Sequence, residues 1–294
     1  MFFEYLSEQE AARMEIVLAE LESEPAARHL VQLVRDRGGI CQGASPELFE
    51  ARVAHELMCL NTDFVYEFAA GVGITTVDFL IDGAVPVLLE VASLRDSTGV
   101  RNAYHRAGAY TSFQLTSRNL NDPHREMQSI EAELVVLQGK LGKKVFASGR
   151  PAKFPEPQNG RYNVIMMDVR RLFGGGEDMQ ALFSELKLAC YGYSDIDYVS
   201  GRQVRIGAGV PDASGGIQRL LGVFEDVDHP IAASGWLRSR IHAIHFVCET
   251  RYEGGELSGV GSPTSIGIMT NPHLVSSRDE VRAFMQAYPL VRAS

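Results

Sequence analysis

Two short apolar runs joined by a turn, each interrupted by a single acid, constrain this chain more than any other stretch. Val77-Asp78-Phe79-Leu80-Ile81 and Val87-Leu88-Leu89-Glu90-Val91 have the composition of strands, and Asp82-Gly83 between them is a turn signal. Paired as an antiparallel hairpin, they set a carboxylate near the start of one strand beside a carboxylate near the end of the other. Acids on apolar strands are costly without a cation. The expected compensation is Mg²⁺ or Mn²⁺, held by one or two carboxylates and several waters.

The flanking sequence supplies a setting for this hairpin. Residues 7–36 have helical spacing, with Met14, Val17, Leu18 and Leu21 on one stripe and Pro25 dividing the stretch in two. Ser45-Pro46-Glu47 starts another helix, which carries Leu48, Phe49, Val53, Leu57 and Leu60 toward a core and ends near Asn61. That helix also carries Glu50 and Glu56. Six residues are about 600° of helical rotation, so the two acids project to different faces and one at most reaches the hairpin. Strands are expected at Phe64–Phe68, Thr75–Ile81 and Val85–Val91.

Beyond the hairpin, a helix is expected from Glu126 to Leu141, with Lys140 in its last turn before Gly142. A strand over Asn163–Val169, a helix from Met179 to Leu188, strands over Ile241–Cys248 and Ser265–Met269, and a closing helix capped by Ser277 with Glu280 three positions on complete the reading. The fold class is α/β. Residues 1–45 are expected as N-terminal helices, 46–150 as a core and 151–294 as a C-terminal α/β extension packed on it.

At this point the order of residues resembles that of the PD-(D/E)XK nucleases: a helix glutamate, an aspartate, a hairpin, a glutamate, then a later helix with lysine. The resemblance covers roughly residues 46–146, and its matching positions are Val77-Asp78 and Glu90-Val91-Ala92. It implies a restriction-endonuclease-like core of helix, mixed sheet and helix, and hydrolysis of phosphodiester bonds in DNA or RNA. By the same resemblance Asp78, Glu90 and the Val91 carbonyl would ligate the metal, and Glu50 would hold a metal-bound water. Ala92 stands where the family has lysine, and it can neither donate a proton nor place charge beside a phosphate. Ser93 points to the opposite face of a regular strand. Lys140, with Gln138 nearby, is the expected substitute. Without one, the chain would be a nuclease-like protein that binds nucleic acid or protein and does not cut.

The remaining signals set limits. A formal net charge of −9 excludes wrapping nucleic acid with the whole surface, but leaves room for a local basic strip. Arg150, Lys153, Arg161, Arg170 and Arg171 gather around the proline-rich connection as the best phosphate-contacting candidates. Cys41, Cys59, Cys190 and Cys248 are far apart and read as reduced, buried small residues. His242 and His245, three apart on a strand, would point to opposite sides and not share a metal. Gly174-Gly175-Gly176 and Gly207-Ala208-Gly209 lack phosphate-loop spacing. The chain turns acidic directly after Met1-Phe2-Phe3 and has no membrane-length apolar run, so the cytoplasm is expected and a membrane is not; self-association stays open.

Overall fold

A computed structural model describes residues 8–94, 104–107, 110–113, 130–158, 160–170, 172, 179–192, 195–199, 202–206, 209–211, 217–226, 228–229, 231–247 and 265–291. These form a mixed α/β protein with seven α-helices among the described residues. Two compact units alternate along the chain: residues 1–93, 151–170 and 240–294 make the first, residues 94–150 and 171–239 the second. Sequence reading divides the chain into consecutive blocks instead. The physical reason for the alternation lies in the sheet. A parallel strand cannot be supplied by a tight turn, so the chain must leave the sheet and return.

In the first unit, α1 (Glu8–Glu22) and α2 (Arg28–Asp36) flank Pro25, and Gly38 and Gly39 stop α2 with φ of 99° and 79°, angles open to glycine. After a 3₁₀ turn, α3 (Ser45–Cys59) starts with Pro46 in its first turn. The strands β1 (Phe64–Phe68), β2 (Val77–Ile81) and β3 (Val87–Ser93) form an antiparallel meander. Parallel to β3 runs β8 (Tyr162–Asp168), parallel to β8 runs β13 (Ala243–Val247), and β14 (Ser265–Thr270) closes the sheet antiparallel. The order is β1-β2-β3-β8-β13-β14.

Burial follows the pleat. Phe79, Ile81, Leu89 and Val91 join Met14, Leu21, Leu30, Leu48, Val53 and Leu57 from the three helices in one buried cluster. Asn163 to Asp168 and all of β13 are buried on both faces, as interior strands next to parallel partners are. The last helix, α7 (Arg278–Ala287), begins with the expected reciprocal cap between Ser277 and Glu280. Two backbone and two side-chain donors hold the Glu280 carboxyl down at about 2.

The second unit contains α4 (Ile130–Val145), α5 (Met179–Tyr191) and most of α6 (Ser234–Arg240). Its strands pair two by two: β4 (Tyr104–Ala107) with β5 (Tyr110–Phe113), β6 (Phe146–Ala147) with β7 (Arg150–Pro151), β9 (Asp195–Val199) with β10 (Arg202–Ile206), and β11 (Gly209–Pro211) with β12 (Ile217–Arg219). Contrary to expectation, Gly142 does not end α4. The glycine serves packing, because a Cβ there would lie 2.8 Å from that of Ala233. Gln138 is buried, and its amide donates to the carbonyls of Ala189 and Leu221 at 2.9 and 2.7 Å, so it ties α4 to the end of α5 and the segment beyond.

Among the described cysteines only Cys190 is buried; Cys59 is exposed and Cys41 half-buried. Cys248, Arg171, the glycine run 174–176 and residues 207–208 lie outside the described residues. No described helix is long and apolar enough to cross a membrane.

Candidate active site

The register of the β2–β3 hairpin decides what its two acids can do. The ladder ends with Phe79 paired to Leu89, and Asp78 and Glu90 are the next residues along their strands. Glu90, in the middle of β3, is 0% exposed. Asp78 is anchored across the hairpin, where its Oδ2 accepts the Val91 N–H at 2.6 Å.

The cation beside this pair is Lys153. Its Nζ lies 2.6 Å from Glu90 Oε1 and 3.8 Å from Asp78 Oδ1, with the lysine side chain 27% exposed. It arrives from the segment after β7, not from β3 or α4. The Lys153 N–H donates to Thr75 Oγ1 at 2.9 Å, and the Thr75 hydroxyl donates to the Val72 carbonyl at 2.8 Å. The loop between β1 and β2 therefore grips the lysine backbone. Burial alone would lower the Lys153 pKa, but Glu90, Asp78 and Glu50 outweigh it and raise the value above that of ordinary lysine. The side chain is an ammonium at neutral pH.

Glu50, on α3, completes the acidic surroundings. The Tyr66 hydroxyl donates to its Oε2 at 2.6 Å, and the Tyr66 ring packs against Phe79 at 5.4 Å between centroids. Burial, then the charge of Glu50, pushes the Tyr66 phenol well above its usual pKa, so it stays a donor. Glu56 projects elsewhere, as helical rotation requires, and its charge acts on Cys59. Cys59 stands near His55, itself 2.5 Å from Glu20, but burial and the two glutamates raise the thiol's pKa and deny that group a thiolate.

Several other polar residues lie elsewhere in the fold. Lys140 sits on α4 in the second unit. Asp168 Oδ1 caps the turn after β8 by accepting the Arg170 N–H at 2.9 Å, and Arg170 pairs with Glu10 at 2.5 Å. His242 Nδ1 accepts the Asn163 N–H at 3.0 Å while His245 meets the Tyr288 hydroxyl at 3.1 Å, so the two rings do serve different partners. Burial lowers their pKa values to about 4 and about 3.

Sequence reading placed Lys153 only within a basic cluster. Nothing in its local pattern distinguishes it from Arg150 or Arg161, because the contact depends on β8 docking beside β3. Among the described residues no group of three or more His, Cys, Asp or Glu side chains is gathered to hold a metal. Two facing carboxylates and a strand carbonyl nevertheless suit a hard divalent ion that keeps several waters. Asp78, Glu90 and the Val91 carbonyl are the groups that would hold it, in competition with Lys153. Comparisons with protein-family models, with curated proteins and with solved structures found no match for this chain.

Proposed function

We propose that this protein is a metal-dependent nuclease of the PD-(D/E)XK kind in which Lys153 takes the part of the lysine that Ala92 replaces. The single observation that carries the reading is one ammonium in contact with two facing carboxylates, 2.6 Å from Glu90 and 3.8 Å from Asp78. The first unit supports it: α3 precedes an antiparallel three-strand meander, and β8 later pairs parallel to β3 to make the sheet mixed.

When bound, Mg²⁺ or Mn²⁺ would activate the attacking water and offset charge on the scissile phosphate. The chain's own groups do the rest. Glu90 and Asp78 fix the acidic pair on rigid strands, Tyr66 orients Glu50, and Lys153 places a held proton and a positive charge where a phosphodiester would lie. The test is cleavage of single- and double-stranded DNA and RNA by purified protein with either ion. Asp78→Asn and Lys153→Met should each reduce the rate by about 100-fold or more. Folded wild-type protein that leaves every substrate intact overturns the proposal.

A second reading has its own support. Lys153 already offsets the acids without any ion, so the same cluster suits a protein that kept the fold and binds without cutting. That reading expects nucleic-acid binding to survive Glu90→Gln and no divalent ion to promote cleavage.

A further inference from the structure

The chain is acidic overall, yet residues 134–155 hold five cations, Lys140, Lys143, Lys144, Arg150 and Lys153, and no acid. A polyanion would meet an acidic chain at such a segment. Four of the five belong to the second unit. Along α4 the buried apolar side chains are Leu134, Leu137, Leu141 and Val145, one stripe at helical spacing. At about 100° per residue, Lys140 and Lys143 project away from that stripe on either side of Val136, which is 40% exposed. Lys143 is exposed and Lys144 half-buried.

The helix runs straight into β6. The β6–β7 hairpin turns on Ser148 and Gly149, with φ of 53° and 76°, and residues 147–150 stand exposed with Arg150 on the return strand. Packed on the hairpin is the one tryptophan of the sequence: half-buried Trp236, from α6, stacks on Phe146 with centroids 5.5 Å apart and planes 15° apart. Cations for phosphates beside aromatic planes for bases are what a single strand requires. A paired duplex keeps its base faces stacked internally and has no use for the ring pair.

We infer that the end of α4, the β6–β7 hairpin and the Phe146–Trp236 pair form a docking surface for single-stranded nucleic acid. Lys143, Lys144 and Arg150 meet phosphates, and the aromatic pair meets an unpaired base. The inference rests on the nucleic-acid reading above and deepens it by naming the surface and the strand state.

The test uses full-length protein in EDTA, so that binding is scored without metal or cleavage. The fluorescence of Trp236 is followed while 16-nucleotide oligo-dT, oligo-U or a 16-base-pair duplex is added over a range of salt. Single strands should quench it saturably and bind at least tenfold tighter than the duplex, the dT and U arms showing whether a DNA or an RNA strand is preferred. The triple variant Lys143→Gln, Lys144→Gln, Arg150→Gln should bind at least tenfold more weakly and flatten the log-log salt slope by about 2, for three contacts at ~0.7 each. Phe146→Leu should weaken binding with the slope unchanged. Absence of quenching by either single strand, equal quenching by duplex, or unchanged affinity of a folded triple variant overturns the inference. Should a variant fail to fold, the wild-type quench and strand preference decide it. Quenching without cleavage in the earlier assay would sink the nuclease reading alone, and cleavage without quenching would sink this one alone.

Discussion

At Lys153 the backbone takes a φ of 59°, a left-handed angle that costs a residue with a Cβ about 1–2 kcal/mol. The bond from its N–H to Thr75 and the pull of two carboxylates on its ammonium hold it there. Removing the ammonium leaves Glu90 buried without that partner, so Lys153→Met should lower unfolding stability by about 3 kcal/mol, read from urea denaturation. The same change should tighten Mn²⁺ binding roughly tenfold in calorimetry, because lysine and metal draw on the same oxygens; a tenfold change is about 1.4 kcal/mol. Weaker metal binding by the folded variant would contradict competition at this site. The Lys153 pKa is raised, so its contribution to stability is complete below the ordinary lysine value near 10.4 and disappears only as pH climbs through the higher folded value. Across neutral pH the wild-type advantage over Lys153→Met should therefore stay level.

At the scale of elements, hydrophobic spacing made the early helices and strands legible. Pro25 separates α1 from α2, Ser45-Pro46 starts α3, and β1 covers the expected Phe64–Phe68. Gly142 is where local reading failed, since a glycine that permits close packing looks in sequence like one that ends a helix. Alanine there would gain about 1 kcal/mol of helix propensity but push a Cβ to 2.8 Å from that of Ala233 and 3.4 Å from Ile231 Cγ2. The crowding should win. Gly142→Ala is expected to lose about 1–3 kcal/mol in thermal or chemical unfolding. A stabilised variant would mean that α4 and the Ile231–Ala233 segment separate without strain.

For the whole molecule, the sheet draws β8, β13 and β14 from residues 162–270 to complete what β1–β3 begin. A fragment of residues 1–150 should therefore lack a cooperative unfolding transition, because β3 would lose its parallel neighbour and expose apolar surface along Leu88 to Val91. A fragment with native-like cooperativity would mean the meander and three helices suffice. The buried His242 and His245 also set an acid limit for the first unit. Their pKa values fall from the usual 6.5 to about 4 and about 3, so the unfolded chain binds more protons as pH drops below 6.5. Stability should decline from pH 6.5 to about pH 4 by several kcal/mol in all, at about 1.4 kcal/mol per unit for each ring. His242→Asn, whose amide oxygen can replace Nδ1 as acceptor for Asn163, should remove one ring's share of that slope.

The sequence by itself determined the α/β class, the strand pair carrying Asp78 and Glu90, and the outward divergence of Glu50 from Glu56, because each depends on periodicity within a few residues of chain. Pleat and helical rotation are local. Only the tertiary structure decided that Lys153, from a basic stretch some sixty residues past Glu90, meets both acids. That contact exists because β8 pairs parallel to β3, and a parallel pairing leaves no turn in the sequence to announce it.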